Sequence, residues 1–569
     1  MYGKPSTMLW PPLVAIALAI SWILPNHHRP WRGFHQDAWI MLCLLCLGLW
    51  VLWKSKTIHA WSMSTALVVG CAAIPLFQWQ SGLIATSGQA IVSSVYILAC
   101  GIAIVLAQQA KQSHGNLVVN CMFAGIAIAS VINVTFQLAQ WFALYDENLL
   151  SFIGFFVLPI STDVRPSGNL LQPNLFATFM VWGIIAGFWG YLRRAVPLPL
   201  LALYLAYLGL GMAITQSRIG LVELLALCAA AFYWRRLWPS FKAMYGCFAV
   251  TAYIFILFFS LPSLSAWLGL EYAGRGDYAA LVQDNVRLVA YRIFIDAIAT
   301  HPWFGYGVSH LGNAYLEHAQ TQVSQAGYFL HSHNFALDML LWFGVPLGLL
   351  LLAACAVWLG RTLVKIASAD QVALLAMVGA LGLHSMVELP HQSLIFLIPA
   401  FIAIGTLNHE IAPMQVWQLS RWVTGVFVIG GLGLWAVMTH DYSLVEKHYA
   451  EWLFERENIG KPLGKPMPNL VLLNQLEFVM QLQRMEPVPG LGADQLNWMR
   501  RAVRAEVSQP AYFNYIGAMA LNGEREEAVL WMYKLNAANK PRNPKPTYDA
   551  WLTLQKKYPQ IADLPWAKR

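Results

Sequence analysis

Residues 327–348, GYFLHSHNFALDMLLWFGVPLG, set the polar cluster His331-Ser332-His333-Asn334 directly against an apolar run that continues to about residue 360. A hydrocarbon core about 30 Å thick takes about 20 apolar residues in helical form, so this run is long enough to cross a membrane. Two histidines, a serine and an asparagine at the mouth of such a segment have two readings. They cap a helix, or they do chemistry at the membrane surface.

The same composition recurs outward from this stretch. Of 569 residues, 58% are hydrophobic and 11% charged, against about 25% charged in a soluble domain. About thirteen segments are apolar and long enough to span, near 8–25, 36–53, 60–79, 83–107, 117–143, 170–192, 197–216, 219–234, 243–262, 334–360, 371–389, 393–409 and 421–439. The expected fold class is all-α, a polytopic transmembrane helical bundle. A net charge of +8, from 36 Lys+Arg and 28 Asp+Glu, does not indicate nucleic acid, because the basic residues come mostly as short pairs between apolar segments and form no patch. All eight cysteines lie within apolar runs, so neither a disulfide framework nor a CxxC metal site follows. The first apolar run is followed by Pro25-Asn26-His27-His28 and not by a small-residue cleavage site, which reads as a retained helix.

Short cytoplasmic loops keep Lys and Arg. Lys4, Lys54, Lys56, Lys111, Arg193, Arg194, Arg235, Arg236, Lys242, Arg361 and Lys365 fall on one side of this arrangement, which places the N-terminus inside and the C-terminus outside. Arg29 and Arg32, in the first outer loop, run against the rule. The chemically unusual stretches then share the outer face: Arg165, Gln172, Asn174, Arg218, residues 263–333 and residues 384–391. The chain divides into N-terminal transmembrane helices at 1–262, a large outer loop at 263–333, C-terminal transmembrane helices at 334–439 and an outer helical domain at 440–569. In the loop, Val286, Val289, Ile293 and Ala297 repeat at helical spacing. His301-Pro302-Trp303-Phe304-Gly305-Tyr306-Gly307 reads as a turn. In the tail, residues 515–528 resemble one degenerate tetratricopeptide helix pair, where a free-standing solenoid needs about three. Binding or positioning a partner is the expected role of this domain.

Arg218 ends a span on the outer side. Either it snorkels to the interface, or it offers a permanently charged planar fork to a phosphate at headgroup level. Arg287 and Arg292 are five apart, so on a helix they point about 140° from one another and need not serve the same phosphate; the alternative is a solvated face. His331 and His333 project to one side only in extended chain. His384 and His391 lie on the same membrane face, but the spacing matches no zinc signature, and no metal is expected. Ser332 or Asn334 can cap the helix that follows. A helix N-terminus disfavours a protonated imidazole, which favours His333 as a general base. His384 and Glu388 are four apart on one helical face, and Glu388, if buried, needs a partner in His384 or one of the arginines. Residues 165–174, RPSGNLLQPN, have the alternative of a plain turn followed by a proline-started helix.

In order and placement these residues resemble the O-antigen ligase/polymerase superfamily of bacterial inner-membrane glycosyltransferases, and within it the PglL-type protein O-oligosaccharyltransferases. The resemblance covers about residues 165–390 and rests on Gly168-Asn169-(x)2-Gln172-Pro173-Asn174, on Ser217-Arg218, on Arg287-(x)4-Arg292 followed by His301-Pro302-(x)2-Gly305-(x)-Gly307, and on His331-Ser332-His333-Asn334-(x)9-Gly344. Gln172-Pro173-Asn174, His384-(x)3-Glu388 and the outer tail favour the protein-glycosylating branch. The resemblance implies transfer of a preassembled glycan from undecaprenyl pyrophosphate to a hydroxyl of a pilin-like periplasmic protein, with no cofactor, metal or nucleotide. It implies a multi-pass protein of the bacterial inner membrane with its site facing the periplasm. By carry-over, His333 is the essential histidine, with His331 and Asn334 beside it, and Arg218 and Arg287 hold the pyrophosphate, with Arg292 as a third cation. Arg165, Gln172, Asn174, His384 and Glu388 support them. The chain departs from the pattern at Trp342, where related chains usually carry a glutamate.

This chemistry needs little apparatus. The bond broken joins a sugar C1 to pyrophosphate, a good leaving group, so the site needs positive charge for the departing anion and a base for the acceptor hydroxyl. Two other readings stand beside it. One is an O-antigen ligase or polymerase with a lipid A core or growing glycan as acceptor. The other is a transporter, against which the polar groups collect at one face and not at the membrane midplane.

Overall fold

A computed structural model describes residues 10–55, 59–144, 156–157, 160, 164–170, 172–238, 241–270, 280–318, 329–411, 415–457, 459, 467–538 and 545–566. The helices in chain order are α1 (Trp10–Ile20), α2 (Phe34–Lys54), α3 (Met63–Cys71), α4 (Ile74–Gln80), α5 (Ser87–His114), α6 (Leu117–Trp141), α7 (Pro173–Leu192), α8 (Leu198–Ile214), α9 (Arg218–Tyr233), α10 (Phe241–Trp267) and α11 (Ala280–Thr300). They continue with α12 (Leu311–His318), α13 (Phe335–Lys365), α14 (Ala369–Ser385), α15 (Leu394–Ile411), α16 (Arg421–Arg456), α17 (Asn474–Arg484), α18 (Ala493–Ala505), α19 (Gln509–Leu521), α20 (Arg525–Ala538) and α21 (Lys545–Lys557).

The protein is a polytopic helical membrane protein. Among the described residues, nine helices are long and apolar enough to cross a membrane: α2, α3 with α4, α5, α6, α7, α10, α13, α15 and α16. The other expected segments fall on α1, α8, α9 and α14, of 11, 17, 16 and 17 residues, shorter than the about 20 a straight crossing takes. One strand pair interrupts the all-helical expectation: β1 (His59–Ser62) runs antiparallel to β2 (Gln415–Leu419), with Trp61 opposite Trp417.

The chain forms two compact units. The first comprises residues 1–69, 97–276 and 357–435. Small residues bring its helices close: a Cβ on Gly125 of α6 would lie 2.8 Å from the Ala15 carbonyl of α1, and one on Gly183 of α7 would lie 2.7 Å from Leu208 of α8. The turn at residues 165–170 is braced from below by amides of α6. Gln140 Oε1 accepts from the Ser167 and Gly168 amides at 3.0 and 2.8 Å, Asn133 Oδ1 accepts from Asn169 N at 3.1 Å, and Gln137 donates to the Pro166 carbonyl at 3.1 Å. Asn169 in turn donates to the Ile23 and Leu24 carbonyls, each at 2.6 Å. Buried backbone groups of an irregular turn need partners. Here Asn133, Gln137 and Gln140 are those partners.

The second unit comprises residues 70–96, 277–356 and 436–569. In α11, Ala290, Ile293, Phe294 and Ala297 are buried against Leu311, Ala314 and Tyr315 of α12 and Leu341 of α13, with Val289 packed beside them. This is the helical spacing expected there, except that the Val286 side chain lies outside the described residues. The turn after α11 is clipped to a kink in α13. Tyr306 N donates to the Leu341 carbonyl and Val345 N to the Pro302 carbonyl, both at 2.7 Å. Gly344 breaks the helix at φ 78°, ψ 169°. Its missing side chain matters, because a Cβ there would meet the Trp303 carbonyl at 2.3 Å.

His310 closes this turn, buried, with Nε2 accepting from the Ala85 amide at 3.1 Å. Burial, with Arg504 adding to it, pushes its imidazole down from 6.5 to about 4, against the Val308 backbone, which raises it. The tail is hydrogen-bonded to the same unit: Asn474 accepts from Gly88 N at 2.9 Å and donates to Ser87 Oγ at 2.7 Å, and Asn313 donates to the Arg504 carbonyl at 2.9 Å. The stretch likened to a tetratricopeptide pair forms α19 and α20, joined by a turn with Gly523 at φ +88°.

Two outcomes follow. Gly344→Ala should cost about 1–3 kcal/mol through the left-handed backbone and lower the thermal unfolding midpoint in detergent, whereas Gly379→Ala, whose Cβ would meet nothing within 4 Å, should not. For His310, the unfolded chain takes up a proton near 6.5 and the folded one only near 4, so between these values the unfolded state binds more protons. Stability should therefore fall as pH drops through that interval, and His310→Gln should flatten the dependence.

Candidate active site

In the first unit, α7 begins at Pro173 with Gln172 as its N-cap, the proline-started helix expected of that stretch. From this end, Gln172 Nε2 donates to Glu388 Oε2 and Asn174 Nδ2 to Glu388 Oε1, each at 3.1 Å. Ser217 Oγ donates to Asn174 Oδ1 at 2.9 Å. Glu388 is buried, and both amides are side-chain hydrogen-bond partners of its carboxylate; its backbone N donates to the His384 carbonyl at 2.9 Å. The helix α14 has ended by then, at Ser385, ahead of Pro390. His384 is fully buried, with Nδ1 2.7 Å from Thr178 Oγ1.

Arg165 braces the approach to Arg218. Its Nη1 donates to the Thr215 and Gln216 carbonyls at 3.0 and 2.9 Å, holding a turn in which Gln216 has φ 49°. Arg218 follows as the first residue of α9, an exposed guanidinium on a buried turn. The structure thus brings together Arg165, Gln172, Asn174, Arg218, His384 and Glu388.

In the second unit, Arg287 is half-buried one turn before Ala290, at the edge of the apolar face of α11, and Arg292 is exposed on the other side of the helix. The histidine cluster enters α13 through a tight local network. Asn334 caps the helix, with Oδ1 accepting from Leu337 N at 3.0 Å. Ser332 Oγ accepts from Asn334 N at 3.1 Å and donates to Asp338 Oδ1 at 2.5 Å. Asp338 is fully buried. With both neighbours tied down, His333 takes a left-handed φ of 56° and sets its half-buried ring edge-on to Phe329, centroids 5.7 Å apart. A left-handed non-glycine residue carries strain and is often found where a side chain must be presented. The two readings of the cluster are therefore compatible: Asn334 caps, Ser332 anchors, and His333 is left displayed. His331 is half-buried beside them.

Asp338, Thr178 and Glu223 escaped the sequence reading. Each acid is a lone charge in an apolar helix, a signal that was available; Thr178 carries none, because a threonine on a span is ordinary. Trp342, where the resemblance implies a glutamate, packs beside two apolar clusters, one around Leu341 and one around Phe343, and its carbonyl accepts from Gln78 Nε2 at 2.7 Å.

Residues 166–189 match the family described as protein glycosylation ligase, residues 200–352 the family described as O-antigen ligase, and residues 372–543 that described as virulence factor membrane-bound polymerase, C-terminal. A general O-oligosaccharyltransferase of Acinetobacter baylyi is 22% identical over 553 residues, which is 93% of this chain and 92% of that protein. A ComP-specific O-oligosaccharyltransferase of the same organism is 24% identical over 282 residues, 49% of this chain and 50% of that one.

Asp338→Ala removes the acceptor of the Ser332 hydroxyl and should lower stability by about 2 kcal/mol. Asn334→Ala removes only the cap and should lower it by about 1 kcal/mol. Thermal unfolding of the purified protein in detergent checks both the direction and the order.

Proposed function

The chain is a glycan-transferring enzyme of the O-antigen ligase and protein O-oligosaccharyltransferase group, and from that premise we propose that it transfers a preassembled oligosaccharide from undecaprenyl pyrophosphate to a serine or threonine hydroxyl of a periplasmic protein such as a pilin. The observation that carries this reading is the similarity to a general O-oligosaccharyltransferase along nearly the full length of both chains, outer tail included. An enzyme of this group sits in the inner membrane with its transfer site on the periplasmic side. The distribution of Lys and Arg supports an N-terminus inside and a tail outside.

In the proposed reaction the acceptor oxygen attacks C1 of the reducing-end sugar, the C1–O bond to the pyrophosphate breaks, and undecaprenyl pyrophosphate leaves with the electron pair. The acceptor proton passes to His333, which stands at left-handed φ directly before the Asn334-capped start of α13. Arg218, Arg287 and Arg292 meet the negative charge that collects on the departing pyrophosphate. Attack from the face opposite the leaving group inverts the anomeric centre. His331 and Asn334 shape the surroundings of His333, and Arg165, Gln172, Asn174, His384 and Glu388 hold the end of α7 and the turn before Arg218.

A second reading is an O-antigen ligase or polymerase using the same donor with a lipid or glycan acceptor, and the matches over residues 200–352 and 372–543 favour it. The transporter reading falls, since the relatives are transferases.

His333→Ala should leave the protein folded and able to bind donor but reduce transfer at least about 10²-fold, the lower end for loss of a positioned base. Arg218→Ala should raise the apparent KM for donor about tenfold, as for loss of one charge-assisted contact of about 1.4 kcal/mol. Both are measured in liposomes with purified lipid-linked glycan. Normal transfer by the His333 variant overturns its role. Expression in cells lacking their own ligases, with a pilin and a lipid-linked glycan pathway, separates glycosylated protein from modified lipopolysaccharide.

A further inference from the structure

One helical turn deeper than Gln172, Asn174, Ser217 and Glu388, the first unit holds a second polar tier that the proposed reaction does not use. Glu223 of α9 is 1% exposed. Its Oε1 accepts from Thr178 Oγ1 at 2.7 Å, and the same hydroxyl lies 2.7 Å from His384 Nδ1. Glu223 Oε2 has no hydrogen-bond partner among the described residues. A hydroxyl carries one proton, so Thr178 donates to one neighbour and accepts from the other. Carboxyl, hydroxyl and imidazole form one directed chain across α9, α7 and α14.

The two tiers repeat a pattern. Asn174 and Thr178 are four apart on one face of α7. From α9 and the residue before it, Ser217 bonds to Asn174 and Glu223 to Thr178. From α14 and the turn beyond it, Glu388 bonds to Asn174 and His384 to Thr178. A single tether leaves a helix free to swivel and slide about it. Two tethers about 6 Å apart along α7 fix both rotation and depth. Apolar helices in hydrocarbon have no hydrophobic drive that selects register, so polar contacts between them decide it. A carboxyl in that setting is costly and is kept where it serves. Arg218 is the first residue of α9, directly after Ser217.

We propose that Glu223, acting through Thr178, is a positioning residue for Arg218: it sets the rotation and depth of α9, and so the place at which the guanidinium meets the diphosphate of the donor. This rests on the reading of Arg218 as a diphosphate-binding side chain. The pair touches no substrate. Its effect appears in donor affinity and not in the chemical step.

The test uses the full chain in liposomes with an undecaprenyl-pyrophosphate-linked glycan and a pilin acceptor, reading KM for donor, kcat and the unfolding midpoint. Glu223→Leu and Thr178→Val should each raise KM about tenfold, a shift of about 1.4 kcal/mol, with kcat little changed. Glu223→Gln, whose amide still bonds to Thr178, should restore KM. The double variant Glu223→Leu with Arg218→Ala should be no worse than Arg218→Ala alone, because both remove one interaction. An unchanged KM in Thr178→Val, an additive double variant, or a loss of kcat with KM intact overturns the inference. If Glu223→Leu does not survive purification, Thr178→Val decides, since it removes only a hydroxyl at nearly constant volume. Should Arg218→Ala itself leave KM unchanged, it is the diphosphate reading that fails; should Arg218→Ala raise KM while Thr178→Val does not, only the positioning inference fails.

Discussion

Hydrocarbon offers no hydrogen-bond partner, so backbone polar groups of a membrane protein must be met within the chain. At the irregular turn of the first unit amides meet this constraint. Asn133, Gln137 and Gln140 of α6 meet the backbone of residues 166–169, and Gln172 and Asn174 meet the Glu388 carboxylate. An irregular turn at membrane depth is tolerated only with such backing. Once backed, it becomes a rigid mount on which Arg165 and then Arg218 are placed.

The second unit solves a different problem, that of presenting a histidine at the mouth of a helix. The solution is mostly backbone. Gly305, at φ +68°, and Gly344, at φ +78°, let the turn after α11 lie directly on the break in α13, where side chains would collide with carbonyls. The break fixes the part of α13 before Gly344, and Asn334, Ser332 and Asp338 fix its first turn. His333 is the residue left over by these restraints, carrying a conformation that its neighbours impose. Trp342 shows the same economy: with an aromatic ring among the apolar clusters, the only carboxylate near the histidines among the described residues of α13 is Asp338, and it serves Ser332.

The division of labour follows from the chemistry. In the proposed reaction a pyrophosphate needs charge held at a set place, and the first residue of a helix is such a place, while the acceptor hydroxyl needs a base. The tail belongs to the unit of the histidine, bonded to the start of α5 and to α12 through Asn474 and Asn313.

The amino-acid sequence by itself determined the helical membrane class, since apolar runs of spanning length admit no other fold at this charge content. It also determined the candidates His333, Arg218 and Glu388, because polar residues at the mouths of apolar helices stand out by type and place. It narrowed the helix cap to Ser332 or Asn334, a local matter of one turn, and the structure assigns it to Asn334. Two partners of Glu388 were decided only by tertiary structure: the amides of Gln172 and Asn174 lie more than two hundred residues away in the chain, and no spacing within either segment points to the other. Thr178 and Glu223 were likewise invisible as a pair, because hydrogen bonds between separate helices leave no periodicity in either one. The strand pair of residues 59–62 and 415–419 escaped for the same reason. Local pattern reveals what a segment is, and only packing reveals what it meets.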